Sequence, residues 1–353
     1  MRILIHVVVA LALLAPWTAS AADVVYLGMS TTDSLSMIEV PPGIPVGPPI
    51  DLLPEGDYPY DVTMLPDGSE VWICGAVGDG IVVVDTATYD VLTTIDLGTA
   101  GGYPVNIAFD AAGGTAYVSA RDGNAVVLVD VATHTPTGAT VPIPAGPGKG
   151  RVRPSDGTIF VVDWYDDFIH AIDPVTLAVT SADVGTSLWD LAIHPSGAPI
   201  YAIDRGTDQV HVVDPDTLAV TTSVSVGDDP WGIDITPDGS TLFVANEDSS
   251  NVTVIDTSNN TVVTTIALEP GADPRDVDIT SDGAFACVPA GDEPGGSDLY
   301  LINVSTLTIQ LIISDGTGSN GNALAVAPEP LGGLVFSDGF ESGDTNGWTS
   351  ATP

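Results

Sequence analysis

The chain has 353 residues, with 47 acidic side chains against 7 Lys and Arg, so its formal net charge is −40. Such a surface repels nucleic-acid phosphates, whose binding depends on clustered Lys and Arg, and argues against docking on anionic lipid headgroups. The acid is mostly Asp, 39 residues against 8 Glu.

Met1-Arg2 is followed by an apolar run from Ile3 to Ala15 and by the small-residue stretch Ala19-Ser20-Ala21. That is the pattern of a secretory signal over residues 1–21, cleaved after Ala21. The run is shorter than the roughly 20 apolar residues that cross a bilayer, and no later segment reads as a membrane helix, so no membrane insertion is expected. The mature chain is therefore expected to be secreted or periplasmic, with cell-surface association allowed. It keeps six basic residues, Arg121, Lys149, Arg151, Arg153, Arg205 and Arg275.

From residue 22 the chain repeats. An acidic or amide residue closes an apolar run at Glu39, Asp85, Asp130, Asp173, Asp214, Asp256 and Asn303, with a mean spacing of 44 residues. That period falls in the range of propeller blades. A second marker is a turn before an apolar strand, as in Pro66-Asp67-Gly68, Pro237-Asp238-Gly239 and Ser281-Asp282-Gly283. Asp bonds its own downstream backbone there and Gly supplies positive φ, so much of the Asp excess is turn punctuation.

Each unit reads as four short strands rich in Val, Ile and Thr, most clearly Trp231–Thr236, Thr241–Asn246, Asn251–Asp256 and Thr261–Leu268. Four strands cannot cover both of their faces alone, and radial packing of repeats does so. The expected fold is an all-β, seven-bladed β-propeller over residues 22–336, four antiparallel strands to a blade. Val24–Gly28, Leu35–Glu39 and Pro49–Leu53 start the first blade, and Ala323–Ala327 from the far end completes it. Cys74 and Cys287 fall on blades that do not touch, so small buried strand residues are favoured over a disulfide.

The stretch Leu242-Phe243-Val244-Ala245-Asn246, Asn251-Val252-Thr253-Val254-Ile255-Asp256 and Thr261-Val262-Val263-Thr264-Thr265-Ile266 resembles the YVTN-repeat β-propeller family of exported bacterial proteins. Ala116-Tyr117-Val118-Ser119 with Leu128-Val129-Asp130 is a looser copy. The resemblance spans about residues 23–330. It implies the fold and hardly a function. Residues 337–353, with Phe340-Glu341-Ser342-Gly343-Asp344 and Trp348, resemble an ending seen on exported bacterial proteins and read as a flexible tail.

Motifs for chemistry are missing. There is no C-x-x-C-H, H-E-x-x-H, G-x-S-x-G or P-loop, and the histidines lack metal-ligand spacing. The Asp-rich loop Asp163-Trp164-Tyr165-Asp166-Asp167 lacks the calcium-loop pattern. Aligning the innermost strands places Asp61, Lys149, Arg151, Asp190, Asp234, Asp276 and Asp278 at alternate positions facing a channel. Arg153 shares the strand of Lys149 and Arg151. Tyr60, Trp189, Trp231 and Arg275 fall where the chain enters the channel mouth, and loops should bring Arg121, Trp164 and Arg205 to the same rim. Aromatics and arginines gathered on an acidic surface suit a binding face. The expectation is a monomeric, non-enzymatic binding or scaffold module without a cofactor. It would hold an extracellular protein segment, glycan or small ligand through Tyr60, Arg121, Lys149, Arg151, Trp164, Trp189, Arg205, Trp231 and Arg275. The alternatives are a propeller enzyme of lactone hydrolase or lyase type, with Asp61, Asp190 and Asp276 on a metal, and a structural surface-layer element.

Overall fold

The computed structural model describes residues 23–29, 34–40, 44–45, 49–52, 59–75, 80–292, 296–314 and 321–328. The expected signal (1–21) and tail (337–353) lie outside the described residues. Seven antiparallel sheets follow one another along the chain. Six begin on their innermost strand: Pro59–Met64, Pro104–Phe109, Pro147–Val152, Leu188–Ile193, Pro230–Ile235 and Asp278–Ile279. The seventh sheet, the first blade, takes its innermost strand from the other end of the chain. Gly321–Pro328 pairs antiparallel with Asp23–Met29, Val24 opposite Ala327 and Gly28 opposite Ala323. Each innermost strand packs on the next, and Gly321–Pro328 touches both the second and seventh blades, so the ring is closed. Among the described residues no helix is long and apolar enough to cross a membrane.

The core explains why the strands are arranged this way. Buried apolar side chains form seven clusters, one in each interface between neighbouring blades. Trp72, Cys74 and Ile81 of the second blade meet Ile107, Val118 and Val127 of the third. Phe243, Val252 and Val254 of the sixth meet Val277, Val288 and Tyr300 of the seventh. Ile38 of the first blade packs on Phe285, Cys287 and Leu299 of the seventh. Cys74 and Cys287 are both buried, in blades separated by the first.

The turns account for much of the Asp. Asp85 accepts bonds from the backbone N–H groups of Ala87 (2.9 Å) and Thr88 (2.8 Å), and Asp173, Asp214 and Asp256 repeat this in their own turns. Four residues after each of several such caps the backbone turns left-handed, even at Leu177 (φ 58°), Leu218 (φ 57°) and Leu307 (φ 54°). A leucine there is strained, and contact of all three with the apolar clusters offsets the strain.

Two local expectations differ from the structure. The outer strand of the first blade, expected over residues 49–53, is instead two pieces, Ile44–Pro45 and Ile50–Asp51, both on Ser34–Val40. Prolines at 41, 42, 45, 48 and 49 remove the ladder donors that a continuous strand needs. In the seventh blade the innermost strand shrinks to Asp278–Ile279, preceded by a single bridge from Pro274 to Ala290.

Closure by the C-terminal strand yields the first prediction. Deleting residues 321–353 should lower the melting temperature by about 10 °C or more and cause self-association through uncovered blade faces. Thermal melting and size-exclusion chromatography of the truncated protein check this. An unchanged, monomeric protein would refute the shared blade.

Candidate functional site

Alternation along the innermost strands turns the apolar residues into the blade interfaces and the polar ones into the channel. Lys149 of the fourth blade lies at the middle, only 8% exposed. Its ammonium bonds Asp61 of the second blade at 2.5 Å. The other Asp61 oxygen accepts the Ile107 backbone N–H (3.0 Å) and the Asn106 amide (3.1 Å), and the Asn106 carbonyl oxygen accepts the Gly150 N–H at 2.8 Å. This chain of bonds ties the second, third and fourth blades across the channel. The Arg151 guanidinium stands 3.6 Å from Asp190, and Asp234 accepts the Ile279 N–H of the next blade at 2.8 Å.

Five carboxylates thus share a channel with two cations, and their proton affinities divide accordingly. Burial would raise Asp61, but the ammonium of Lys149 outweighs it and holds the carboxyl below its usual range. Burial works against Lys149 in turn, and the carboxylates of Asp61, Asp276 and Asp190 overcome it and keep the ammonium charged. The remaining acids are left short of positive charge. Burial pushes Asp276 up to about 6 even though Lys149 opposes it, and Asp234 also rises to about 6. Asp278 goes well above the carboxylate range through burial and the nearby Asp234 and Asp276. Arg153 does not join this group. Its strand ends at Val152, and its guanidinium binds Asp156 and, at 2.7 Å, Asp216 instead.

At one mouth, Tyr60, Lys149, Trp189, Asp190, Trp231, Arg275 and Asp276 line a small cleft of about 90 Å³. Five of the nine expected site residues therefore meet in one place. Trp164 adjoins it, stacked on Trp189 with ring centres 4.3 Å apart and its indole N–H on the Trp189 carbonyl oxygen at 2.9 Å. Trp189 meets Trp231 edge-on at 4.4 Å, and the Arg205 guanidinium lies over both rings, at 4.5 and 4.1 Å. Trp189 is therefore packed against both Trp164 and Arg205, so the indoles act largely as a built wall. Arg121 and Arg151 lie outside the cleft. Arg121 covers Tyr103 and pairs with Asp122, and Arg151 lines the opposite mouth with Asp234 and Asp278.

Sequence reasoning missed the partners of the rim arginines. Arg205 makes two bonds to Asp229, at 2.6 and 2.7 Å, and Arg275 donates one to Glu247 at 2.8 Å with a second nitrogen 2.7 Å from the same oxygen. Asp229 also accepts the Trp231 indole N–H at 3.1 Å. Asp229 stands two residues before Trp231, a spacing that could have marked it. His170 and His211 do not reach the cleft. Each lies between an Asp and a Ser of its own blade, His211 3.0 Å from Asp204 and 2.8 Å from Ser223, and His170 repeats this with Asp163 and Ser181.

The metal site imagined for Asp61, Asp190 and Asp276 is corrected by this geometry. The cation between them is the Lys149 ammonium, and among the described residues no three metal-ligating side chains form a set. The donor set does not fit a resident metal.

The sequence model of the family "Lactonase, 7-bladed beta-propeller" matches residues 168–267, from the third strand of the fourth blade to the last strand of the sixth. No curated protein matches the sequence significantly. Among solved structures, a propeller of Bacteroides uniformis described as a candidate 6-phosphogluconolactonase is similar to this chain, with TM-score 0.70 and 16% identity over 87% of this chain and 100% of that one. Hydrazine synthase of Kuenenia stuttgartiensis has TM-score 0.62 and 19% identity, covering 70% of this chain and 77% of that one. A dihydro-haem d1 dehydrogenase has TM-score 0.62 and 16% identity, covering 88% and 67%. At these identities the likeness is one of fold.

The match to the lactonase propeller overturns the expectation of a non-enzymatic module. That expectation rested on missing motifs. A propeller site is assembled from single residues on separate blades, and such a site leaves no local motif.

The divided proton affinities yield a second prediction. Asp234, Asp276 and Asp278 keep protons in the folded protein at a pH where the unfolded chain has released them. Folding therefore takes up protons between about pH 4 and 6, and stability falls as pH rises through that window. Asp61 and Asp204 are held low instead, and their contribution is lost only as pH falls below the ordinary carboxylate range. The melting temperature should peak near about pH 4 and decline through about pH 6. Asp276→Asn, which mimics the protonated acid, should flatten part of that decline. A melting temperature climbing steadily from about pH 4 to 6 would contradict the charge balance.

Proposed function

We propose that the protein is a hydrolase of the lactonase-propeller type, opening a lactone ring in the cleft between Trp231 and Lys149. The observation that carries this reading is the floor of the cleft, where a buried ammonium and the half-basic carboxyl of Asp276 face one space. The lactonase match over residues 168–267 supports the same class of reaction.

Ester-ring opening needs a base for water and a cation for the oxygen that gains charge. Asp276 takes a proton from water as the water oxygen bonds to the lactone carbonyl carbon, and the carbonyl electron pair moves onto its oxygen. Lys149 stabilises that oxyanion. An ammonium has three donors, and Asp61 takes one. When the tetrahedral carbon collapses, the ring C–O bond breaks, and the leaving alkoxide recovers the proton from Asp276. Asp61 is a positioning residue here: it holds Lys149 in place and charged.

The YVTN-like reading of the repeat and the export of the chain belong to this proposal. The strands Thr241–Asn246 and Asn251–Asp256, which carry the YVTN-like pattern, are the second and third of the sixth blade. That blade supplies Trp231. The signal pattern of residues 1–21 supports an enzyme acting outside the cytoplasm.

The test is hydrolysis of a panel of five- and six-membered lactones by the purified mature chain, read by pH-stat above the spontaneous rate. Asp276→Asn should lower kcat at least about 100-fold, and kcat/KM should rise with pH through about 6 and level off. Trp231→Ala should raise KM about 30-fold, the effect of losing an anchor worth roughly 2 kcal/mol, with a smaller change in kcat. Chelation should leave the rate unchanged. No turnover of any lactone, or an Asp276→Asn variant as fast as its parent, would remove the proposal.

A further inference from the structure

We infer that the cleft selects a neutral lactone, one carrying neither phosphate nor carboxylate, because the guanidinium groups bordering it are already bound to carboxylates and Asp61 offsets the charge of Lys149. This rests on the hydrolase reading and names its substrate class. It departs from the phosphorylated sugar acid in the description of the Bacteroides uniformis propeller.

The charges can be taken in turn. Lys149 and Arg275 are the cations lining the cleft, and Asp190 and Asp276 are its acids. Lys149 is bonded to Asp61, and Arg275 to Glu247 through two nitrogens. Arg205, which covers the tryptophans from behind, is fixed by both oxygens of Asp229. Arg151 stands beside Asp190. Once each cation is set against its partner, Asp276 is left over, and the field at the floor is negative. A phosphate dianion entering here meets no uncommitted guanidinium and has like charge below it, which is strongly unfavourable in a partly buried site. The wall opposite offers what a neutral ring uses: indole surface and the phenol of Tyr60. The mature surface, with six basic residues against 47 acidic, repels anions at long range as well.

The experiment compares a neutral six-membered aldonolactone with its 6-phosphate ester, using the mature chain at low salt. The expected result is a kcat/KM at least about tenfold higher for the neutral compound, with the gap narrowing as added salt screens the repulsion. Glu247→Gln, which releases Arg275, should narrow the gap as well. A phosphate ester turned over as well as the neutral lactone, or better, overturns the inference and leaves the hydrolase reading standing. A gap untouched by both salt and Glu247→Gln also overturns it, since charge would not be its cause. Quenching of tryptophan fluorescence separates the remaining cases. If neither compound is hydrolysed but the neutral one alone quenches, the selectivity stands and the hydrolase reading falls. If neither quenches, both fall.

Discussion

A four-stranded blade has two apolar faces and can cover neither by itself. Everything else in this protein follows from the way that constraint is met. Each blade covers its faces with its two neighbours, which requires a ring, and a ring requires that the last blade meet the first. Here the junction is built by strand pairing, with Gly321–Pro328 completing the sheet begun by Asp23–Met29. Backbone hydrogen bonds are directional and hold register in a way that apolar contact does not. The two ends of the chain are thereby fixed to each other across nearly 300 residues of intervening sequence.

Closing the ring also creates the channel, and the channel cannot be filled as a core is filled. The interface faces consume the apolar alternate positions, so the polar alternates of the innermost strands that carry them converge. In this protein they converge as five carboxylates and two cations. Burying charge is costly unless it is paired, and two cations cannot pair five acids. The excess is relieved by proton uptake, which is why Asp234, Asp276 and Asp278 rise while Asp61 falls. The chemistry proposed for the cleft is a by-product of that relief. Asp276 is proposed as a base near neutral pH because burial raises it and Lys149, bonded to Asp61, does not fully compensate.

The parts legible in the sequence are those set by period. The acidic or amide residue closing each third strand marks the seven units, and alternation along strands such as Pro230–Ile235 identifies which side chains face the channel. The meeting of Tyr60, Trp189, Trp231 and Arg275 follows from their equivalent register in the second, fifth, sixth and seventh blades. What the register does not carry is partner choice. Arg275 turns to Glu247 of the preceding blade and Arg205 to Asp229 ahead of the next, and neither spacing repeats among the ion pairs of the described residues. Arg153 shares the parity of Lys149 and Arg151 but lies past the strand end, where alternation stops applying. The prolines between 41 and 49 act against a local pattern that otherwise reads as strand.

The same distinction bears on function. A search for motifs looks along the chain, whereas a propeller mouth is assembled around a ring, one residue per blade. Lys149 comes from the fourth blade, Asp190 from the fifth, Trp231 from the sixth, Asp276 from the seventh and Tyr60 from the second. Residues separated by about one blade in sequence become neighbours, so a site of this kind is spread too thinly for any short pattern to describe. The fold then imposes a further limit. Because blade-to-blade packing leaves little room at the mouth, Trp164, Trp189 and Arg205 stack on one another before any ligand arrives. Such a wall is already organised and loses little conformational freedom on binding. It is also a wall whose charges are spoken for, and that ties the substrate preference to the same packing that closes the ring.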